Sequence, residues 1–342
     1  MNAPVRIDLK DPSSFPSRRV EAWKYTDLYR WLRETPPASP EGAVEPGGPF
    51  AALGGEELTF VNGRCDGFAG IVAEGEGLTP VRLRFVSTAE GAGHQARVTI
   101  DVKPGASLTL LESYEGPARG YVSNISLDIT VGEGARLTRV IVAEDAADAI
   151  GISQAHITLA HGATLHQSAF TAGGKLQRLE TQVEHPGHGA FVRLDAAYAL
   201  HDARHADLTS VVDHQGPDGR TSQLTKGVVH DTARGVFQGK IIVERGADGT
   251  DARMGHHALI LSERGEIDAK PELIIYADDV QCAHGNTVGS LDQNALFYMQ
   301  QRGIPFEEAR ALLTHAFLME VVDRVEHEGA REVVREWLTA RL

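Results

Sequence analysis

Cys282 and His284 stand two residues apart, and both are side chains that can ligate a transition metal. In an extended segment that spacing sets both side chains on one face. The run before them, Glu272 to Tyr276, is β-branched and aromatic, and Ala277 to Asp279 has turn composition, so a strand is expected at the pair. A Cys-Ala-His triplet is a weak signal alone, because Cys is often a small buried residue and His often a satisfied structural one.

Other chemistry-bearing residues point less clearly. His256 and His257 could supply ligands, but adjacent residues on a strand face opposite ways. His185-Pro186-Gly187-His188 reads as a turn, and Asp278-Asp279 as a solvated one. The chain has no H-E-x-x-H, no Cys-x-x-Cys pair and no G-x-x-x-x-G-K-[ST] phosphate loop, and no Ser/His/Asp order stands out. Nothing in these residues demands an enzyme.

The totals narrow the class. A net charge of -14 argues against nucleic acid as the main partner, since phosphate binding needs a basic footprint. Two cysteines, Cys65 and Cys282, exclude a disulfide scaffold and suit a reducing compartment. Cys65 is read as structural. The opening residues lack an apolar core of signal-peptide length, and no window reaches the roughly 20 apolar residues of a membrane span. A cytoplasmic protein without membrane contact is expected.

The elements that must position the pair come next. Val20, Trp23, Leu28 and Trp31 fall near one helical face, with Ser17 as a candidate N-cap, predicting one or two short helices. Pro36, Pro37, Pro40, Pro46 and Pro49 forbid a long element there. Leu58 to Val61 reads as a strand ending in an Asn62-Gly63 turn. Through the middle a Gly-marked turn recurs at Gly105, Gly134, Gly162, Gly189, Gly219 and Gly246, with gaps of 29, 28, 27, 30 and 27. A second set of breakers lies between them at Asp145, Gly173, Asp202 and Asp231, with gaps of 28, 29 and 29. Two turns per period imply a strand on each of two sides, and the text between is strand-like, as in Arg97–Val102, Ile125–Val131, Leu137–Val142 and Gly235–Val243. Constant period, short strands and glycine turns predict a mainly β chain with a β-solenoid (β-helix) core; a β-sandwich need not keep such a period.

Asp292 can cap a helix from Gln293 to about Arg302, Pro305 can open a second, and a third runs near Arg331 to Leu342. In the second, Ala309, Leu312, Leu313, Ala316 and Phe317 form an apolar stripe interrupted by Glu320. These helices are expected to cap the open end of the solenoid. The divisions are 1–50, a helical region and linker; 51–290, the β-helix core; and 291–342, a helical region.

The run from Lys270 to Gly289, with Cys282-Ala283-His284-Gly285 inside it, is followed by Phe297-Tyr298-Met299-Gln300-Gln301-Arg302-Gly303-Ile304-Pro305 and Glu307-Glu308-Ala309-Arg310. This order resembles the C-terminal core of the SufB/SufD family of iron-sulfur cluster assembly proteins, on its SufD side. Glu21-Ala22-Trp23-Lys24-Tyr25-Thr26-Asp27-Leu28 resembles the N-terminal signature of the same branch, and Gly235, Phe237, Gly239, Ile241 and Val243 match a string common in the family. The resemblance implies a β-helix with terminal helical regions, no catalysis by the chain alone, and a complex with SufB and the ATPase SufC; in isolation a homodimer is an alternative assembly. It places His284 at the interface with SufB, with Cys282 beside it, where His284 is either a metal ligand shared with the partner or an edge histidine that hydrogen-bonds across the heterodimer. It makes the second C-terminal helix, about Pro305 to Val325, part of the SufC-docking region, with Leu312, Leu313, Phe317 and Val321 as docking residues.

An iron-sulfur cluster usually takes about four ligands, mostly cysteine, so a chain with two is expected to hold no cluster stably by itself and to share a transient one. Two alternatives remain: a secreted-type polysaccharide-active β-helix enzyme, which would show turnover by the lone protein, and a SufB-like scaffold, which would form a cluster unaided.

Overall fold

The computed structural model describes residues 5–77 and 79–342. The first four residues, part of the opening segment read above, lie outside it. Among the described residues seventeen strands form two parallel sheets. In chain order they are β1 (Glu56–Val61), β2 (Ile71–Ala73), β3 (Val81–Val86), β4 (Gly93–Val102), β5 (Ser107–Glu115) and β6 (Val122–Val131). There follow β7 (Arg136–Glu144), β8 (Ile150–Leu159), β9 (Thr164–Thr171), β10 (Leu176–His185), β11 (Phe191–Leu200) and β12 (His205–His214). The last are β13 (Arg220–Val229), β14 (Arg234–Val243), β15 (Asp251–Ile260), β16 (Glu266–Ile275) and β17 (Gln281–Gly289). Odd-numbered strands build a nine-stranded sheet and even-numbered strands an eight-stranded one, so each coil adds one strand to each side. This is the β-solenoid that the glycine period predicts, beginning at Glu56.

The turns stack as expected at four positions. Each of Gly105, Gly134, Gly162 and Gly189 has φ between 63° and 72°. Their N–H groups donate to the carbonyls of Glu133, His161, His188 and Pro217, each the residue just before the next turn position. The ladder then passes to Asp218 (φ 54°) in place of Gly219, and from there to Gly249 (φ 75°), since Asp218 N–H donates to the Asp248 carbonyl; Gly246 is also left-handed (φ 85°) but sits in an extra turn directly after β14. Asp tolerates that conformation, so the ladder continues without a glycine; the following coil then takes 31 residues, pairing Arg220 with Asp251. On the opposite corner Gly173, Asp202 and Asp231 are left-handed, but Asp145 is not. Its buried carboxylate instead accepts from Tyr121 Oη and Gln177 Nε2, both at 2.6 Å.

Inward residues form straight ladders through the core. One runs Leu108, Leu137, Leu165, Val192, Thr221, Ala252, Cys282; its neighbour runs Leu110, Arg139, Gln167, Leu194, Gln223, Met254, His284. Arg139 lies inside this apolar interior and pairs with Glu112 through two 2.8 Å hydrogen bonds; both side chains are fully buried. Its third bond goes to Gln167 Oε1, and Gln167 Nε2 donates to Thr181.

The two sheets are covered on their outer faces by different ends of the chain. Residues 5–32 cross the eight-stranded sheet as a strap, burying Ile7, Leu9, Phe15, Trp23 and Leu28 against Val122, Ile150, Ile152 and Leu176. Its helical content is two 3-10 turns, Pro12–Ser14 and Glu21–Trp23, and α1 (Leu28–Trp31). The expected single apolar face divides: Trp23 and Leu28 are buried, while Val20 and Trp31 are exposed, and Val20, not Ser17, precedes the second turn. Trp23 lies under the Arg178 guanidinium at 4.3 Å, and Arg178 is itself buried between Glu180 and Asp207.

The C-terminal helices are α2 (Gln293–Gln301), α3 (Phe306–Val322) and α4 (Glu328–Thr339). Asp292 caps α2 as expected, accepting from Asn294 N–H at 2.8 Å. They do not close the end of the solenoid. They pack on the outer face of the nine-stranded sheet, where Leu318, Val321, Val322, Val325, Val334 and Leu338 meet Val140, Val142, Phe170, Ala197 and Val228. The continuous apolar run Val140–Val142 is the cause: a strand apolar on both faces needs cover on both. Asp195, fully buried on that face, binds Arg324 at 2.9 Å and fixes the end of α3.

Candidate functional site

The two ends of the solenoid differ. At the first, the loop after β1 folds over the core, with Phe68 edge-on to Phe60 at 5.0 Å and Cys65 packed against the same cluster. That supports the structural reading of Cys65. At the other end β16 and β17 are the outermost strands of their sheets, each hydrogen-bonded on one side only. Free strand edges of this kind are templates for pairing with another chain. Pro271, in register with Gly239, suits an edge because it has no N–H to donate.

Cys282 and His284 do share one face of β17. They are in register with the core residues Ala252 and Met254 and so end the two inward ladders where nothing covers them. Asn286 and Val288 continue this face, opposite His256 and Ala258. On β16 the matching positions are Ile267, Ala269, Leu273 and Ile275. Val288 is 44% exposed and Ile275 42%, an apolar rim around the ligand-capable pair. Asn286 Oδ1 lies 2.7 Å from His256 Nδ1, and that ring stacks on Phe237 at 4.7 Å, so the exposed coil is anchored in the core. His257 points outward to Thr287, as the alternation of adjacent histidines requires.

His284 is exposed and Cys282 half-buried. Burial pushes the Cys282 thiol up and the Asp251 carboxylate adds to this, against a hydrogen bond from the Ala252 backbone. At neutral pH it is a thiol; as a ligand it loses its proton only to a metal. Among the described residues no third His, Cys, Asp or Glu joins the pair as a metal-binding group. Two ligands from this chain leave an ion or cluster needing others.

The expected docking stripe divides on α3. Val321 is fully buried in the sheet contact, Leu313 and Phe317 are half-buried, and only Leu312, at 47%, is well exposed. The sheet takes the face of Thr314, Leu318, Val321 and Val322, so Val321 has no free surface to offer. Lys226 Nζ sits 4.3 Å over the Phe317 ring and pairs with Glu320. The exposed aromatics lie elsewhere on the helices: Phe297 at 62%, Tyr298 at 60% and Phe306 at 45%. Their signal was the Phe297-Tyr298 motif. Asn286, Val288 and Ile275 escaped notice, although a period of two from Cys282 and His284 reaches the first two.

The architecture is a two-sided parallel solenoid, sealed at one end and unsealed at the other, with its ligand-capable residues on the unsealed end. The profile of the "SUF system FeS cluster assembly, SufBD core domain" family matches residues 85–317, and the chain belongs to that family. It is 30% identical over 245 residues to the iron-sulfur cluster assembly protein SufD of Escherichia coli, covering 71% of this chain and 58% of that one. It is 29% identical over 282 residues to a SufBD-family protein of Synechocystis, covering 79% and 62%. The SufD of Bacillus subtilis is 27% identical over 271 residues, covering 74% and 59%. The chain thus spans about three fifths of the length of these relatives. No helix among the described residues is long and apolar enough to cross a membrane.

Proposed function

We propose that the chain is the SufD-type, non-catalytic subunit of a cytoplasmic complex with a SufB-type protein and a SufC-type ATPase. The observation that carries this is the unsealed last coil, which sets His284 and Cys282 inside a rim of unpaired strand edge and apolar side chains. The SufB-type partner pairs with that edge and completes the ligand set around a transient cluster, which is the cargo. Without it, the same edge is open to a second copy of the chain. ATP-driven closure of the SufC-type subunits acts through the C-terminal helices, and this chain, lacking a phosphate loop, receives that work. A neutral His284 imidazole binds iron by one nitrogen while the other finds an acceptor on the partner.

Co-expression of His284→Ala with SufB- and SufC-type proteins tests the reading. The complex is expected to assemble, because an exposed edge side chain adds little to the fold, and to carry less iron and sulfide. Normal iron and sulfide in an assembled complex would remove the ligand role, and failure to assemble would make His284 a structural contact.

Docking of the ATPase is assigned to the exposed face of α2 and α3. Leu312→Asp combined with Phe297→Ser is expected to weaken SufC-type binding at least about tenfold, as loss of central apolar anchors does. Thermal stability should barely move, since both side chains are exposed. Unchanged affinity in a pull-down titration would refute the assignment.

A further inference from the structure

A second group of ligand-capable side chains lies on the solenoid corner, away from the open end. The dipeptide His-Asp occurs at His201-Asp202 and again one coil later at His230-Asp231, so the two imidazoles stack, with centroids 5.4 Å apart and ring planes 21° apart. His201, His230 and Asp231 bring one ligand atom each to within 4.8 Å of one another.

The surroundings prepare this group. His201 Nε2 lies 2.8 Å from the Arg341 carbonyl, an acceptor only, so Nε2 carries the proton and the Nδ1 lone pair is free. A backbone carbonyl holding the far nitrogen is how metal-binding histidines are usually oriented. Asp231 is fixed through Oδ2, which accepts from Asp202 N–H at 2.9 Å, leaving Oδ1 on the side of His230 Nδ1, 3.6 Å away. Arg310 contacts His230 Nε2 and also reaches the Leu261 carbonyl at 3.3 Å and Glu307 at 3.5 Å. Arg310 can only donate, so His230 Nε2 accepts here and Nδ1 carries the proton; binding through Nδ1 moves that proton to Nε2 and turns Arg310 off the ring onto its other two acceptors, the Leu261 carbonyl and Glu307. The imidazoles are half-buried and Asp231 is exposed, so part of an ion's coordination sphere would stay open to solvent.

We propose that His201, His230 and Asp231 form a site for one divalent transition-metal ion, ferrous iron in the protein's working state. Two imidazoles and one carboxylate with open positions are the donor set of non-haem ferrous centres. Bonds of about 2.0–2.2 Å put ligand atoms about 3–4 Å apart, so small side-chain rotations close the group on an ion. The choice of iron over zinc rests on the cluster-assembly reading; the site itself does not.

The test uses the full chain, anaerobic and without partners, with Cys282→Ala and His284→Ala installed to silence the open-end pair. Titration with Co²⁺, followed by its visible ligand-field bands, and then with Fe²⁺, is expected to give one equivalent of each. Asp231→Asn, an exposed and nearly isosteric change, is expected to lower affinity at least about tenfold, and the pair His201→Ala with His230→Ala to abolish saturable binding. Absence of saturable binding in the starting protein, or affinity unmoved by these changes, would overturn the proposal. Since no partner takes part, that result would leave the SufB/SufC reading untouched, and a failed complex would leave this site untouched.

Discussion

Arg139→Leu is expected to destabilise the protein by about 3–5 kcal/mol, the usual loss when one member of a buried ion pair is removed. The Glu112 and Arg139 side chains have essentially no exposure, and the pair sits on inward positions between Leu137 and Ile141 on one strand and Leu110 and Tyr114 on the next. Without the guanidinium the Glu112 carboxyl keeps only the Tyr114 hydroxyl, whose own ionisation is pushed far up by burial and by Glu112. Gln167 loses the donor to its Oε1 as well. The double change Glu112→Met with Arg139→Leu should recover most of the loss, because well-packed apolar replacements of a buried pair are often neutral or stabilising. Thermal and urea midpoints of the three variants decide it: a single variant within about 1 kcal/mol of the parent, or a double variant worse than the single, would contradict this account.

That pair also marks where sequence reading stops. Leu137, Arg139 and Ile141 share one parity of β7, and Thr138, Val140 and Val142 share the other. Alternation alone would turn the arginine outward; the structure turns it inward, because both faces are covered, Gln167 stands beside it in register on β9, and Glu112 reaches it from one inward position along β5. The glycine period was legible because left-handed turns are restrictive, and it slipped at Asp218 because aspartate meets the same requirement. The Cys282 and His284 face was legible from a period of two. That the coil carrying it lies open was not, because the C-terminal helices read as amphipathic in any position, and only the apolar outer face of β7, β9 and β11 decides where they pack. The stacked His201 and His230 needed the coil register, which places residues 29 apart side by side.

Acid is expected to unfold the protein well above the pH at which its paired carboxylates titrate. Burial depresses His185, His205, His214 and His256 to about 4 from an ordinary 6.5, with half-buried His94 alongside at about 4. His185 Nε2 accepts the Ala190 N–H at 3.1 Å, so its Nδ1–H donates to His214 Nδ1 at 3.3 Å, and His214 Nε2–H donates to Thr221 at 2.8 Å. A proton added to this chain has no acceptor for its new N–H and meets a like charge if the second ring follows. His205 faces Thr26 and Asp207 but also the cations of Arg234 and Arg178. His256 lies between Phe237 and Tyr198.

Above pH 6.5 these rings are neutral in both states and add no pH dependence. Between pH 6.5 and 4 the unfolded chain takes up protons that the folded chain refuses, so stability falls as pH falls, and below about 4 the loss saturates. At pH 5 the loss is about 2 kcal/mol per site. Asp195 works the other way: burial pushes its carboxyl up to about 6 despite Arg324, so the folded state binds a proton first and returns about 1 kcal/mol at pH 5. Even with His185 and His214 counted as one site, the sum is comparable to the whole stability of an ordinary domain. The melting temperature should therefore fall steeply from pH 6.5 to 5 in a series of thermal melts at constant ionic strength, and the chain should be largely unfolded near pH 5 at 25 °C; a melting temperature level across that interval would mean the imidazoles are protonated in the fold and that their burial does not govern its acid limit.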